Sequence, residues 1–198
     1  MLLSYNSYTF VSILMDVQTY IARIDTLSAK FNDSFSKLSD SDMNMRINSN
    51  SWSIAQIIDH ICVINSSYFS TFDQIAANTY KSGFISKIGF LVNAFGKMIL
   101  SSVETSRKRK IKTFPIWEPS TQPIQEVLHK LIENHKELKA KLQSIADIDS
   151  EKTIISSPAN KHIVYTLSKA LEILLTHEER HFNQAMEVKE KLHIKNMH

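Results

Sequence analysis

Apolar residues recur along this chain at spacings of three, four and seven, which is the repeat of one face of an α-helix. Val17, Ile21, Ile24, Phe31, Phe35 and Leu38 form the first stripe. The second opens at Ser53 and runs through Ile54, Ile57, Ile61, Ile64, Tyr68 and Ile75, predicting a helix to about Asn78. Ser53 and Gln56 make an S-x-x-Q capping box, and Trp52 with Ile57 occupies the hydrophobic-staple positions. The third stripe keeps a strict alternation of four and three through Ile124, Leu128, Leu131, His135, Leu138, Leu142 and Ile145. The fourth carries Leu167, Leu171, Leu174, His181, Ala185, Val188 and Leu192. Four amphipathic helices with moderate connections predict a four-helix bundle, in its simplest form antiparallel.

The segments between the stripes are read as follows. Ser39 to Ser51 is polar and punctuated by Ser, Asp and Asn, and a second polar loop is expected from Asp147 to about Asn160. Lys81 to Ser102 is apolar but interrupted by lysines and by Gly83, Gly89 and Gly96. It is expected to form one or two short helices laid across the bundle, as a lid or dimer surface, and not a membrane span. Ser106 to Lys112 is a basic run without interleaved aromatic residues, which fits a solvated loop better than a nucleic-acid contact. Pro115 and Pro119 hold Phe114 to Pro119 in an extended or turn conformation. Residues 1–15 lack a basic start and a membrane-length apolar run, so they are expected to be an extension, disordered or loosely docked. Met15, where the helical pattern starts, is a candidate native start; residues 16–198 would then form a single domain.

Composition narrows this picture. Only 3 glycines and 4 prolines in 198 residues leave few turns, which disfavours a many-stranded fold. A net charge of +3 gives no argument for nucleic acid or acidic membrane as a partner. The lone cysteine, Cys62, excludes an intrachain disulfide and fits a reducing, cytoplasmic compartment; on its helix it reads as a small buried apolar residue.

Candidate chemistry lies in the histidines. His177 and His181 are four apart in Thr176-His177-Glu178-Glu179-Arg180-His181, which puts both imidazoles on one helix face. Eight histidines scattered at random would give roughly 0.3 such pairs, so spacing alone is weak. The pair gains weight because His181 is seven after Leu174 and His177 three after it, on the stripe that faces the core. Two imidazoles there can share a divalent ion, or be core histidines bonded to Glu or Tyr. His60, three after Ile57 and four before Ile64, borders the core face of the second helix and is the candidate third ligand. Three nitrogen ligands with one open position are the pattern of a catalytic metal site. His135 points inward as a core histidine, or as a polar group near the metal, either behind a ligand or as a general base. His129 cannot pair with it, and His162, His193 and His198 are expected to be exposed. Asp59 should point away from the core, and Glu178, Glu179 and Arg180 should make surface or interhelical ion pairs; Gln184 could bond across the bundle.

Trp52-Ser53-x-x-Gln56-x-x-x-His60, followed by His177-Glu178-x-Arg180-His181-x-x-Gln184, resembles the DinB-like superfamily of four-helix proteins. The basic stretch Lys108 to Lys112 leading into Phe114-Pro115 is similar to that family's crossover between helices two and three, and Pro158 and Thr166 to the approach to its last helix. The resemblance covers about Asp16 to Leu192. It implies an all-α, up-down-down-up bundle with a helical insertion between helices two and three, in place of the simple antiparallel arrangement. It also implies a three-histidine metal site made of His60, His177 and His181. The implied activity is metal-dependent hydrolysis or thiol transfer on a small molecule, with zinc or nickel as the metal, in a protein that often forms homodimers. The acidic residue common in the family's first motif is Gln56 here, which keeps the capping role but offers no general base. A non-catalytic metal-binding or stress-response bundle and a metal-free dimeric interaction module are the alternatives.

Overall fold

The computed structural model describes residues 5–83, 89–103 and 113–192. Six α-helices appear there: α1 Tyr5–Phe35, α2 Asp40–Asn44, α3 Ile54–Ala76, α4 Gly89–Val103, α5 Val127–Ser144 and α6 Leu167–Lys191. Two strands, β1 Ile154–Ser157 and β2 Asn160–Thr166, pair antiparallel between α5 and α6. The four sequence stripes correspond to α1, α3, α5 and α6.

Contacts along the helices give their directions. Tyr20 meets Ser168, Arg23 meets Glu179 and Ser34 meets Lys189, so α1 and α6 run parallel. Ser28 meets His135 while Asp25 meets Lys139, so α1 and α5 are antiparallel. Asp59 with Lys130, Ser66 with Asn134 and Asp73 with Lys141 make α3 and α5 parallel. His60 beside His181 and Asn65 beside Glu178 make α3 and α6 antiparallel. The bundle is therefore up-down-down-up, with α3 and α5, like α1 and α6, as parallel neighbours.

Three departures from the sequence reading have physical causes. The loop expected up to Asn160 is a hairpin: Ile154 and Ile155 on one side, and Ile163, Val164 and Tyr165 on the other, are β-branched or aromatic, and Pro158 and Ala159 sit at the turn. The fold is thus not purely helical. Within the polar stretch 39–51, Ser39 and Asp42 form their own capping box and start α2. The first helix begins at Tyr5, inside the stretch read as an extension, where neither glycine nor proline interrupts the chain. In the insertion, α4 packs on β2 and α6. The basic run 106–112, with His193 and His198, lies outside the described residues. No described helix is long and apolar enough to cross a membrane.

The core is divided into two apolar clusters stacked along the bundle. One gathers Tyr20, Ile24, Leu27, Phe72, Leu138, Leu142, Leu171 and Leu174. The other gathers Phe31, Phe35, Ile54, Ile57, Ile61, Leu131, Ala185 and Val188. On α1, α5 and α6 the stretch between the clusters holds Ser28, Asn134, His135, His177, Glu178 and His181; His60 and Asn65 meet them from α3.

The α3 cap is the part of this scaffold closest to the site. Gln56 N–H donates to Ser53 Oγ at 3.2 Å, and Ser53 N–H donates back to Gln56 Oε1 at 3.3 Å. Both residues are buried, so water cannot replace the lost bond in a variant. Ser53→Ala is expected to lower the unfolding free energy by about 1 kcal/mol; urea denaturation showing no loss would mean that the cap carries no stability.

Candidate metal centre

The second turn of α3 carries His60, and consecutive turns of α6 carry His177 and His181. Because α3 and α6 are antiparallel neighbours, the three rings converge. Their centroids are 5.1 Å apart for His60 and His177, 4.9 Å for His60 and His181, and 4.2 Å for His177 and His181. Each ring offers a nitrogen, and these three atoms lie within 4.8 Å of one another. All three side chains are buried, at 3%, 8% and 7% exposure. Trp52 closes one side, with its ring 4.8 Å from His60 and 6.3 Å from His181.

The protonation chemistry suits a cation. Burial holds His177 well below its ordinary pKa, and the neighbouring His181, His60 and Arg180 push in the same direction. Burial takes His181 down to about 3, with His60 and Arg180 adding to the shift and a hydrogen bond to Gln184 opposing it. His60 is lowered by burial, against the opposing effects of the Trp117 carbonyl and Asp59. The rings are therefore neutral near pH 7, as metal ligation requires. His60 Nδ1 lies 2.5 Å from the Trp117 carbonyl oxygen. A carbonyl only accepts, so Nδ1 carries the proton and Nε2 keeps its lone pair. His181 Nδ1 is buried with no hydrogen-bond partner among the described residues. An orphaned buried nitrogen beside two other neutral imidazoles is costly unless something occupies the space between them. The donor set thus fits a divalent ion.

Beside the three histidines runs a separate buried polar chain. His135 bridges Ser28 Oγ at 2.6 Å and Glu178 Oε2 at 3.0 Å. Asn65 Nδ2 donates to Glu178 Oε1 at 2.7 Å and to Asn134 Oδ1 at 3.0 Å, and Asn134 Nδ2 donates to Ser66 Oγ at 2.9 Å. His135 is buried as expected, but both its nitrogens are engaged by Ser28 and Glu178, and it does not join the three-ring cluster. Glu178, expected in a surface or interhelical ion pair, is not at the surface: it meets His135 across helices and has 0% exposure. Its position was readable: it lies four after Leu174 and seven after Leu171, on the core stripe. Asn65 and Asn134 occupy stripe positions too, four after Ile61 and three after Leu131.

Asp59, expected to point away, is 3% exposed. The stripe argument assumes one covered helix face, whereas α3 is covered on a second face by the crossover around Trp117 and Ser120. The Trp117 carbonyl, a main-chain group, left no mark in the sequence pattern. Cys62 is buried and its thiol is pushed up to about 12, chiefly by burial, so it stays protonated. His129 and His162 are exposed.

Comparison with known proteins agrees with this fold. The family model of the DinB superfamily matches residues 23–185. The chain belongs to the DinB superfamily. Its fold is similar to that of YfiT from Bacillus subtilis, described as a probable metal-dependent hydrolase with an unusual four-helix bundle topology. The two share 14% sequence identity with a TM-score of 0.54, over 89% of this chain and 87% of YfiT. A search of curated proteins finds no significant match. As a DinB-superfamily bundle, the chain shares its four-helix topology with YfiT, and its three buried histidines can hold a metal ion.

Two outcomes follow from the buried groups. Unfolded histidines take up protons as pH falls through 6.5, while folded His181 resists to about 3. The unfolded chain then binds more protons, so stability falls with falling pH, by up to about 1.4 kcal/mol per pH unit for each such group. Metal-free protein should melt at a constant temperature between pH 7 and 8 and at progressively lower temperatures between pH 6.5 and 5, and His177→Gln with His181→Gln should flatten that slope. Separately, Glu178→Ala leaves His135 and Asn65 without their acceptor and should cost about 3–5 kcal/mol in chemical denaturation. Glu178→Gln retains an acceptor and should cost less; equal losses would argue against the polar chain.

Proposed function

We propose that this DinB-superfamily chain is a divalent-metal-dependent hydrolase acting on a small molecule, with His60, His177 and His181 as the metal ligands. The observation that carries the reading is the convergence of three buried neutral imidazoles, one of them with an orphaned nitrogen, around one point. Three nitrogens leave a tetrahedral ion one open position, the arrangement of catalytic rather than closed structural sites. A divalent ion held there would supply Lewis acidity toward a carbonyl or phosphoryl oxygen and would lower the pKa of water.

The residues of the chain set the remaining conditions. The His60 Nδ1–H donates a hydrogen bond to the Trp117 carbonyl, which leaves Nε2 with its lone pair. Trp52 shields the rings from solvent on one side. No carboxylate touches the three rings among the interactions of the described residues, and Gln56 is spent on the α3 cap and the crossover. Proton transfer in this reading therefore involves the substrate or solvent rather than a dedicated acidic side chain. Zinc and nickel both suit an all-imidazole set.

Tag-free protein reconstituted with zinc should retain about one equivalent, as structural and catalytic sites of this kind do. The paired change His177→Ala and His181→Ala should abolish retention. Ester, amide and phosphoester substrates screened with and without chelator should show metal-dependent turnover. Stoichiometric zinc without any hydrolysis, but with transfer of a low-molecular-weight thiol, would move the assignment to thiol transfer. Retention below about a tenth of an equivalent would remove the metal reading altogether.

A further inference from the structure

One face of α3 grips the crossover that leads into α5. Gln56 Nε2 donates to the Ser120 carbonyl at 2.8 Å, and the Ser120 N–H donates to Asp59 Oδ2 at 2.9 Å. His60 Nδ1 donates to the Trp117 carbonyl at 2.5 Å, and Trp117 Nε1 donates to Ser67 Oγ at 3.1 Å. Thus both main-chain groups of Ser120, and the carbonyl and ring of Trp117, are held by side chains of a single helix. Between them the backbone is stiff. Pro115–Trp117 is a 3-10 turn, Glu118 N–H bonds the Pro115 carbonyl at 3.2 Å, and Pro119 fixes its own φ next to Ser120. Pinning Ser120 therefore places the Trp117 carbonyl three residues earlier.

Asp59 is the charged member of this grip. Its second oxygen receives the ammonium of Lys130 from α5, so the carboxylate is buried yet satisfied on both sides. A buried carboxylate that accepts from a main-chain amide makes a strong, charge-assisted bond.

We infer that Asp59 is a positioning residue for the metal centre. By anchoring Ser120 it holds the Trp117 carbonyl against His60 Nδ1, which keeps the His60 proton on Nδ1 and its lone pair on Nε2. The inference rests on the assignment of His60 as a ligand only for its consequence on metal affinity; the tautomer of His60 is defined without metal. Groups that orient a ligand ring from behind typically change metal affinity by about 10- to 100-fold. Asp59 lies next to His60 in sequence but acts on it through the crossover, a detour that neither helix spacing nor motif matching reveals.

The experiment uses the full chain. Long-range nitrogen–proton correlation spectra of the metal-free protein report the His60 tautomer, and competition with a chromophoric chelator reports zinc affinity. Wild type should show the proton on Nδ1. Asp59→Ala should give a mixed or Nε2-protonated His60 and about 10- to 100-fold weaker zinc binding at unchanged stoichiometry. Asp59→Asn keeps an acceptor for the Ser120 amide and should restore the Nδ1 tautomer. Ser120→Pro removes that amide while leaving Asp59 with Lys130, and it should reproduce the Asp59→Ala tautomer even where Asp59→Ala folds poorly. A His60 tautomer and zinc affinity unchanged in both Asp59→Ala and Ser120→Pro would overturn the inference. A tautomer that switches in a protein unable to bind zinc would support the anchoring role while removing the metal assignment.

Discussion

Glu178 sits at the centre of the bundle with no exposed surface, and its two oxygens must be met by donors from other helices. This requirement organises the structure. Asn65 has to arrive from α3 and His135 from α5, with Ser28 behind it on α1. A slip of one helical turn by any of the four would strand a buried polar group, at about 1–3 kcal/mol for each. Apolar packing alone does not discriminate so sharply between registers, because leucine and isoleucine tolerate repacking. The polar layer is thus what locks α6 axially against α3, and His177 and His181 lie within three residues of Glu178. The three-ring cluster inherits its precision from the adjoining network rather than from bonds among the rings themselves.

The up-down-down-up order adds a second constraint. Parallel neighbours α3 and α5 cannot be joined by a short turn, so the chain between Ala76 and Val127 has to return along the length of the bundle. That long connection is available to cover a helix face, and its final part lies on α3 at His60. In an antiparallel bundle with tight turns, the same face would be open to water and His60 Nδ1 would have no fixed acceptor. Topology and site chemistry are therefore linked through the path of one loop.

Much of this was legible in the residues, and the illegible part has a common cause. The stripes located α1, α3, α5 and α6 because each helix buries a face at the 3.6-residue repeat. His177 and His181 stood out by spacing, and His60 by its place after a capped Trp52-Ser53 helix start; the structure brings these three together. The direction of α5 was not contained in periodicity, which is the same for a helix pointing either way; it came from the family resemblance and is borne out by the contacts. Glu178 sat on a core position but was outweighed by the prior that polar residues face water, and a stripe traced through apolar residues passes over Asn65 and Asn134 on similar positions. Asp59 was misplaced because helical periodicity describes packing by other helices and not by an irregular crossover. The hairpin was missed because its β-branched residues were divided between a presumed loop and the approach to α6.

The contact between His60 and Trp117 is made by a peptide carbonyl, a group that every amino acid possesses. Replacing the tryptophan side chain would alter the indole and its bond to Ser67, yet could leave the carbonyl in place. A scan that substitutes residues one at a time would therefore score position 117 for packing and remain blind to its part in holding an imidazole. Sequence drift at that position is compatible with an undisturbed site, whereas an insertion or deletion between Pro115 and Ser120 would shift the carbonyl without changing any of the three histidines. The integrity of this centre is written partly in loop length, a property that residue identity does not record.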